Sequence, residues 1–301
     1  MSSAPHVAGR ASRKQAVTQQ FSDRIQFNMD WITRPLFGFL LAGIAVGATI
    51  LGGIAFVAFL LLGASGAVRE WHRLFTRRDF VLPTAITIVA MTAALTWQLC
   101  WTAHFGIAGP IAPFAILLCG AVANALLGLM HRDSPFAHAA GAIYIGLPTL
   151  TLLMLRQSPA HPVWLVVLTL LAVWATDTGA LISGNMIGGP RLAPVLSPNK
   201  TWAGSMGGAV CAALIAGLLA LLLHTSVVAA ALFGLVLSIA GQFGDLFESL
   251  AKRRVGKKDS GNLIPGHGGV LDRIDSVLFA APVATFIVLV LGLDPLRGLA
   301  P

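Results

Sequence analysis

Charged side chains are scarce in this sequence. Asp, Glu, Lys and Arg make up 11% of its 301 residues, whereas soluble globular domains carry about 25% charged residues. Apolar residues reach 56% of the chain, and its mean hydropathy is +0.81. These values exclude an ordinary soluble domain and predict an integral membrane protein.

Cysteines and acidic residues are also few. Cys100, Cys119 and Cys211 lie inside or at the ends of apolar runs without metal-ligand spacing, so we interpret them as packing residues and expect no disulfide framework. The chain holds 20 basic and 12 acidic residues, a net charge of +8. Such a charge can indicate nucleic-acid binding. In a membrane protein, basic loops beside anionic lipid explain it better, so no nucleic-acid partner is expected.

Long apolar runs fill most of the chain. A spanning helix needs about 20 mostly apolar residues. By this measure the sequence predicts an all-α integral membrane protein with about nine spans, at roughly 35–50, 52–68, 80–101, 108–130, 137–155, 162–182, 202–223, 226–246 and 272–293. The run from Pro35 to Val68 is too long for one helix, so we divide it near Gly52 and Gly53.

The basic residues indicate an orientation. With a cytoplasmic N-terminus, all but Arg156 and Arg297 of the 20 Lys and Arg lie inside, as the positive-inside rule predicts. Residues 1–34 are then a polar cytoplasmic tail, either a helix on the membrane surface or a partly ordered segment. Residues 35–301 are then a multi-pass membrane domain, which we expect in the inner (plasma) membrane.

One polar block interrupts the apolar runs. Residues 242–276 hold five of the 12 acids and six of the 20 Lys and Arg. Because charges of both signs are rare elsewhere, this block predicts an active site at the cytoplasmic face.

Two upstream groups are candidates for the same site. Asp177 lies in an otherwise apolar helix, where a carboxylate costs several kcal/mol unless it is paired or solvated. It either pairs within the bundle or binds metal or substrate, and we favour the second role. Ser197, Lys200 and Thr201 precede a span, where hydroxyls and free N–H groups can bind phosphate, although any helix start offers similar groups.

The first half of the block reads as one face of a helix. Asp245, Glu248, Ser249 and Lys252 are spaced at i, i+3, i+4 and i+7, which places them together. They form either a surface ion-pair stripe or, as we favour because Asp245 follows an apolar run so closely, part of the site.

The second half combines glycines with carboxylates. Residues 266–269 (Gly-His-Gly-Gly) allow the backbone to approach a phosphate closely, and Asp272 and Asp275 follow on one face of the next helix. His267 is either a loop residue or, as we favour, a ligand of phosphate. Carboxylates opposite a basic cluster indicate a divalent metal that bridges phosphates. Hard oxygen ligands select Mg²⁺, and such sites typically perform phosphoryl or nucleotidyl transfer.

The block also carries a recognisable pattern: Ser249-Leu250-Ala251-Lys252-Arg253, Lys258-Asp259-Ser260-Gly261, Pro265-Gly266-His267-Gly268-Gly269 and Asp272-Arg273-Ile274-Asp275. This pattern resembles the signature of phosphatidate cytidylyltransferases, also called CDP-diacylglycerol synthases. Gln242-Phe243-Gly244-Asp245-Leu246 and the layout of many spans, with the signature before the last one, resemble that family too.

The resemblance implies that CTP and phosphatidic acid give CDP-diacylglycerol and pyrophosphate at the bilayer, with Mg²⁺ as cofactor and with a homodimer as a possible assembly. The metal ligands expected are Asp245 and Asp272 first, then Asp275, Asp177 and Glu248. The catalytic residues expected are Asp245, Lys252, Arg253, Lys258, Asp259, His267 and Asp272. The substrate-binding residues expected are Ser197, Lys200, Thr201, Ser249, Gly266, Gly268, Gly269 and Arg273.

Two departures from the family pattern stand out. Leu181 occupies a position where a tyrosine is expected. In the loop at 197–204, Asn199 replaces an expected cation and Ala203 an expected carboxylate. The loop is therefore a place where substrate preference can differ.

Two other functions compete with this interpretation. A CTP-dependent lipid kinase would attack the γ-phosphorus and release CDP instead of pyrophosphate. A transporter with a lipid-binding cytoplasmic loop would place polar residues at the midplane of several helices, whereas here the spans are nearly free of charge apart from Asp177.

Overall fold

The computed structural model describes residues 36, 38–76, 80–105, 111–132, 134–261, 263 and 268–298. The predicted tail at 1–34 lies outside these residues. Within them, nine α-helices follow one another: α1 Gly38–Leu51, α2 Gly53–Phe75, α3 Val81–Phe105, α4 Ala112–Met130, α5 Pro135–Arg156, α6 Pro162–Ile187, α7 Trp202–Leu222, α8 Val227–Arg254 and α9 Leu271–Thr285. A π-helical turn, Phe286–Val290, continues α9.

The helices confirm the prediction of an all-α membrane protein with many spans. Of the described helices, α2 to α9 (with the π turn) are long and apolar enough to cross a membrane, and α1 is a shorter apolar helix. Two helices extend well beyond their predicted ends, α2 to Phe75 and α8 to Arg254. Both extensions carry charged residues, and hydropathy assigns such residues to loops. The extensions are helical because buried residues such as Trp71 and Ala251 continue to pack against neighbouring helices.

The first predicted run divides where expected. Gly52 has φ 63° and ψ −160°, a conformation that is essentially restricted to glycine, and it separates α1 from α2. Arg156, at the end of α5, donates to the carbonyls of Thr49 at 2.6 Å and Ile50 at 3.3 Å. The last carbonyls of a helix lack partners within the helix, so Arg156 satisfies the end of α1 and anchors it to α5.

Small residues bring α6, α7 and α8 close together. A Cβ added at Gly179 of α6 would lie 2.6 Å from the Cβ of Cys211, and one at Gly208 of α7 would lie 2.7 Å from the carbonyl oxygen of Thr176. At Gly234 of α8 the added Cβ would lie 2.7 Å from the carbonyl oxygen of Ala212. Glycines at such positions allow helix backbones to approach, which places the ends of α6 and α8 beside the start of α7.

A short β-hairpin connects α6 to α7. Strands β1 (Arg191–Ala193) and β2 (Ser197–Thr201) pair antiparallel, with Arg191 opposite Thr201 and Ala193 opposite Ser197. The sequence predicted a loop at 197–201, and this prediction was wrong. The strand ladder supplies backbone partners that a free loop would lack, and it fixes the direction from which β2 approaches α8.

We expect Gly52→Ala to lower the apparent melting temperature of the detergent-purified protein more than Gly53→Ala. Both glycines have positive φ, 63° and 51°, so both substitutions strain the backbone, by about 1 kcal/mol or more. Only at Gly52 would the new Cβ collide with the guanidinium of Arg156, since nothing lies within 4 Å of that position at Gly53. Equal losses in the two variants would show that the contact with Arg156 does not hold α1 in place.

Candidate active site

Among the described residues, seven charged side chains from α6, β2, α8 and α9 form a group at one end of the helix bundle. Neighbouring helices run in opposite directions, so α6 and α8 end there while α7 and α9 begin there. We call this group the charged cluster: Asp177 of α6, Lys200 of β2, Asp245, Glu248 and Lys252 of α8, and Asp272 and Asp275 of α9. All seven were predicted from the sequence to share a site.

Lys252 joins two carboxylates of the charged cluster. Its Nζ lies 2.8 Å from Oε2 of Glu248, one turn back on α8, and 2.7 Å from Oδ1 of Asp272 on α9. The exposed fraction of the side chain is 13% for Lys252, 1% for Glu248 and 16% for Asp272. Because little water reaches these groups, each charge depends on the others for compensation.

Backbone N–H groups also hold Asp272. The N–H of Ser260 donates to both of its carboxylate oxygens, at 3.3 and 3.1 Å, and the N–H of Gly269 donates to Oδ2 at 3.1 Å. Charge-assisted bonds of this kind are among the stronger hydrogen bonds. The carboxylate of Asp272 is therefore held by Lys252 of α8, by Ser260 of the loop after α8 and by Gly269, just before α9.

A second ion pair joins the hairpin to α8. Lys200 Nζ contacts Oδ2 of Asp245, and these two side chains are 28% and 31% exposed. Lys200 lies near the end of β2, one residue before Thr201, whose hydroxyl oxygen accepts the N–H of Gly204 at 3.0 Å. The strand and the cap of α7 together aim Lys200 at α8.

Two further carboxylates complete the charged cluster. Asp275, one turn after Asp272, lies close enough to Asp245, Glu248 and Asp177 for their charges to act on it. Its Oδ1 accepts the N–H of Ser276 at 2.7 Å. Asp177 is exposed on the surface of the bundle, and the charges of Asp245, Lys200 and Arg273 act on it. The cluster thus brings five carboxyl groups near two lysines, so its acidic groups outnumber its own basic ones.

Other predicted residues lie around the charged cluster. Arg253 donates to the carbonyls of Leu196 and Lys257, both at 3.4 Å, and so links the hairpin to the loop after α8. Lys258 and Asp259 are exposed on that loop. Arg273, exposed on α9, acts electrostatically on Asp177.

Those predicted phosphate-binding residues that the structure describes lie on three different segments, β2, α8 and the start of α9. The oxygen of Thr201 caps α7, the role that any helix start offers. Ser197 stands at the far end of β2, and Ser249 lies on α8 beside Glu248. Gly268, with φ 80°, and Gly269 lead into α9, whereas Gly266 and His267 lie outside the described residues. Phosphate binding by this set stays a prediction.

Sequence reasoning missed Glu70. This residue is 3% exposed on α2, and its Oε2 accepts the N–H of Leu271 at 2.9 Å. Hydropathy assigned Glu70 to a basic loop because Arg69 and Arg73 flank it. The helical spacing of Ala67, Trp71 and Leu74 was the signal that α2 continues through it.

Tyr144 was also missed. It is the single tyrosine of the chain, and its ring centroid lies 5.0 Å from those of Trp71 and Phe247. Its hydroxyl is buried without a hydrogen-bond partner in the described part of the chain, and Asp275 acts on it electrostatically. Tyr144, Trp71 and Phe247 therefore form an aromatic group that lies near the carboxylates of the charged cluster.

The donors of the charged cluster suit a hard divalent cation. Asp177, Asp245 and Asp275 offer carboxylate oxygens of the kind that Mg²⁺ takes. Buried Oε1 of Glu248 has no hydrogen-bond partner within the described ranges. Among the residues that the structure describes, no three acidic, His or Cys side chains already stand grouped as a metal site. The residues therefore fit a cation by charge and donor type, and its binding stays a prediction.

Comparison with known proteins gives a consistent result. Residues 32–291 match the model of the cytidylyltransferase family. A phosphatidate cytidylyltransferase of Brucella suis biovar 1 is 36% identical over 260 residues, which are 83% of this chain and 90% of the relative. One from a strain of Staphylococcus epidermidis is 33% identical over 242 residues, 79% of this chain and 91% of the relative. One from Rickettsia bellii is 39% identical over 155 residues, 49% of this chain and 67% of the relative.

We expect Lys252→Met to reduce the free energy of unfolding by about 3 kcal/mol, since it leaves two largely buried carboxylates without their cation. Thermal unfolding of the detergent-purified variant measures this loss. Adding Glu248→Gln to this variant should recover part of the lost free energy, because only one of the two uncompensated carboxylates then remains. Lys257→Met removes an exposed cation of the neighbouring loop and should melt like the unmodified protein. A Lys252→Met protein that also melts unchanged would contradict the account.

Proposed function

The chain belongs to the cytidylyltransferase family, and we infer that it transfers the cytidylyl group of CTP to phosphatidic acid. The products are CDP-diacylglycerol and pyrophosphate. The observation that carries this inference is the arrangement of two ion pairs, Lys252 with Asp272 and Lys200 with Asp245, at one end of a membrane-spanning bundle. Each pair offers a cation for phosphate and a carboxylate for metal.

The chemistry asks little of a general base. The attacking group is the phosphate monoester of phosphatidic acid, whose second pKa is about 6, so it is largely ionised at pH 7. Its oxygen bonds to the α-phosphorus of CTP while the bond from that phosphorus to pyrophosphate breaks. The protein has to bring two anions together and to stabilise the charge of the leaving group.

The residues of the charged cluster meet this demand. Lys200 and Lys252 supply positive charge from opposite sides, one on the hairpin and one on α8. Because both side chains are partly shielded from water, their attraction for phosphate is less screened than on an open surface. Arg253 and Lys258, exposed beside them, add charge for the triphosphate.

We also propose Mg²⁺ as the cofactor. Asp245 and Asp272 are the first candidates to hold it, with Asp275, Asp177 and Glu248 around them. When bound, the ion neutralises phosphate charge and polarises the phosphoryl oxygens. The excess of carboxylates over lysines in the charged cluster supports this proposal.

The position of the charged cluster suits a lipid substrate. Because the cluster stands at helix ends, a phosphatidic acid headgroup can reach it while the acyl chains remain in the bilayer. We propose that this end faces the cytoplasm in the inner membrane, with the N-terminus on the same side. The basic residues on the connections at this end support that orientation. A homodimer is a further proposal, which rests on the family resemblance and which the mass of the solubilised protein tests.

Incubation with Mg²⁺, phosphatidic acid and α-labelled CTP tests the function. We expect label in the lipid fraction with one pyrophosphate per labelled lipid, and loss of turnover when a chelator removes the metal. CDP without labelled lipid would indicate a lipid kinase. Folded protein without turnover on any phospholipid acceptor would contradict the proposed function, whereas turnover that survives chelation would contradict Mg²⁺ alone.

We expect Asp245→Asn and Asp272→Asn each to lower kcat by about a hundredfold or more, because each removes a charge on which stabilisation of the transition state depends. Both variants should still insert, since the amide keeps the shape of the side chain. Asp272→Asn should also melt at a lower temperature, because its amide has one acceptor oxygen for the donors that now contact two, so thermal unfolding is measured beside turnover. Asp294→Asn is the matched control. Asp294 accepts the N–H of Leu296 near the end of the chain, away from the charged cluster. Near-normal activity of Asp245→Asn or Asp272→Asn would exclude metal binding by that residue.

A further inference from the structure

Glu70 is a buried carboxylate that the proposed chemistry does not use. It lies on α2, a helix that contributes no residue to the charged cluster, and it is 3% exposed. A carboxylate in such a place is costly unless it is hydrogen-bonded, so its contacts indicate what it does.

One oxygen of Glu70 joins α2 to two other segments. Its Oε2 accepts the N–H of Leu271, the first residue of α9, at 2.9 Å, and the hydroxyl of Ser260, in the loop after α8, at 3.2 Å. The N–H groups of a first helical turn have no partner within the helix, and an anion there is stabilised by the helix dipole. Glu70 therefore fixes the start of α9 and the loop to the same point.

The residues that Glu70 holds are those that hold Asp272. Ser260 uses its hydroxyl for Glu70 and its N–H for the carboxylate of Asp272. Leu271 directly precedes Asp272, which in turn lies 2.7 Å from Lys252. A continuous path of hydrogen bonds thus runs from Glu70 to the ion pair that the proposed reaction needs.

Two glycines pack directly against Glu70. A Cβ added at Gly261 would lie 2.5 Å from its Oε1, and one added at Gly269 would lie 2.7 Å from its Oε2. One glycine therefore packs beside each oxygen of the carboxylate, and neither position has room for a larger side chain. Within the described residues Oε1 has no hydrogen-bond partner although it is buried. An unpaired buried acceptor costs free energy, so the bonds that Oε2 makes have to hold the side chain in this place.

We propose that Glu70 is a positioning residue, which locks the loop after α8 and the start of α9 so that Asp272 and Lys252 face the triphosphate of CTP. The effect of Glu70 on turnover rests on the proposed function. The effect of Glu70 on the mobility of the loop is independent of that function, so the test measures both turnover and hydrogen exchange.

The disruptive variant is Glu70→Leu, which keeps a similar volume without an acceptor. We expect faster hydrogen exchange at the amides of Ser260, Gly269 and Leu271 in the full-length protein in detergent. We also expect KM for CTP to rise about tenfold, the effect of losing a hydrogen bond to a charged group, with KM for phosphatidic acid nearly unchanged. Glu70→Gln keeps one acceptor oxygen and should restore most of both properties.

Gln98→Ala is the control for a general loss of stability. Gln98 is a buried amide at the opposite end of the bundle, where it donates to Gln157 at 2.9 Å, and its removal should leave KM for CTP and the three amides unchanged. If Glu70→Leu fails to fold, Ser260→Ala tests the same contact, since it removes the hydroxyl that donates to Glu70. It should raise exchange at the amide of position 260 and raise KM for CTP.

Two results would overturn the proposal. The first is unchanged exchange at the three amides in Glu70→Leu. The second is faster exchange with an unchanged KM for CTP, which would leave Glu70 a purely structural role. An unmodified protein that does not transfer cytidylyl groups would refute the proposed function instead, and the exchange measurement would still report on the lock.

Discussion

The pairing of lysines with carboxylates at the ends of the spanning helices is the interaction on which the rest of the structure depends. Charges beside hydrocarbon are costly unless they are compensated, and Glu248, Lys252 and Asp272 are largely buried. Each is tolerated because the others are present. A chain in which 11% of the residues are charged can therefore concentrate charges of both signs at one place without losing the stability of the bundle.

The same pairs suit the proposed reaction because they can exchange partners. When the phosphates of CTP arrive, Lys200 and Lys252 can turn to them while the carboxylates turn to a cation. The side chains change partners, but the helices and the hairpin that carry them are already in place, and groups held in place stabilise developing charge more effectively than free ones. The framework serves this purpose: glycines let α6, α7 and α8 approach closely, and the hairpin directs Lys200 toward α8.

The sequence predicted those parts of the structure that depend on local pattern. Apolar runs indicated the spans, Gly52 and Gly53 marked the first break, and the spacing on α8 predicted that Glu248 and Lys252 share a face, where they form an ion pair. Long-range contacts were not predictable in this way. The hairpin at 191–201 requires pairing across a turn that has no strong strand signal. Glu70 contacts the loop beside the charged cluster only because α2 packs against Ser260, which lies 190 residues away in the chain.

The most direct test of the central claim is an experimental structure of the protein with CTP and Mg²⁺ in a lipid bilayer mimic. The account predicts that the triphosphate lies between Lys200 and Lys252, with the metal on Asp245 or Asp272, and that both lysines have left their present carboxylate partners for phosphate oxygens. A nucleotide bound elsewhere, with the two ion pairs unchanged, would show that the charged cluster only stabilises the fold.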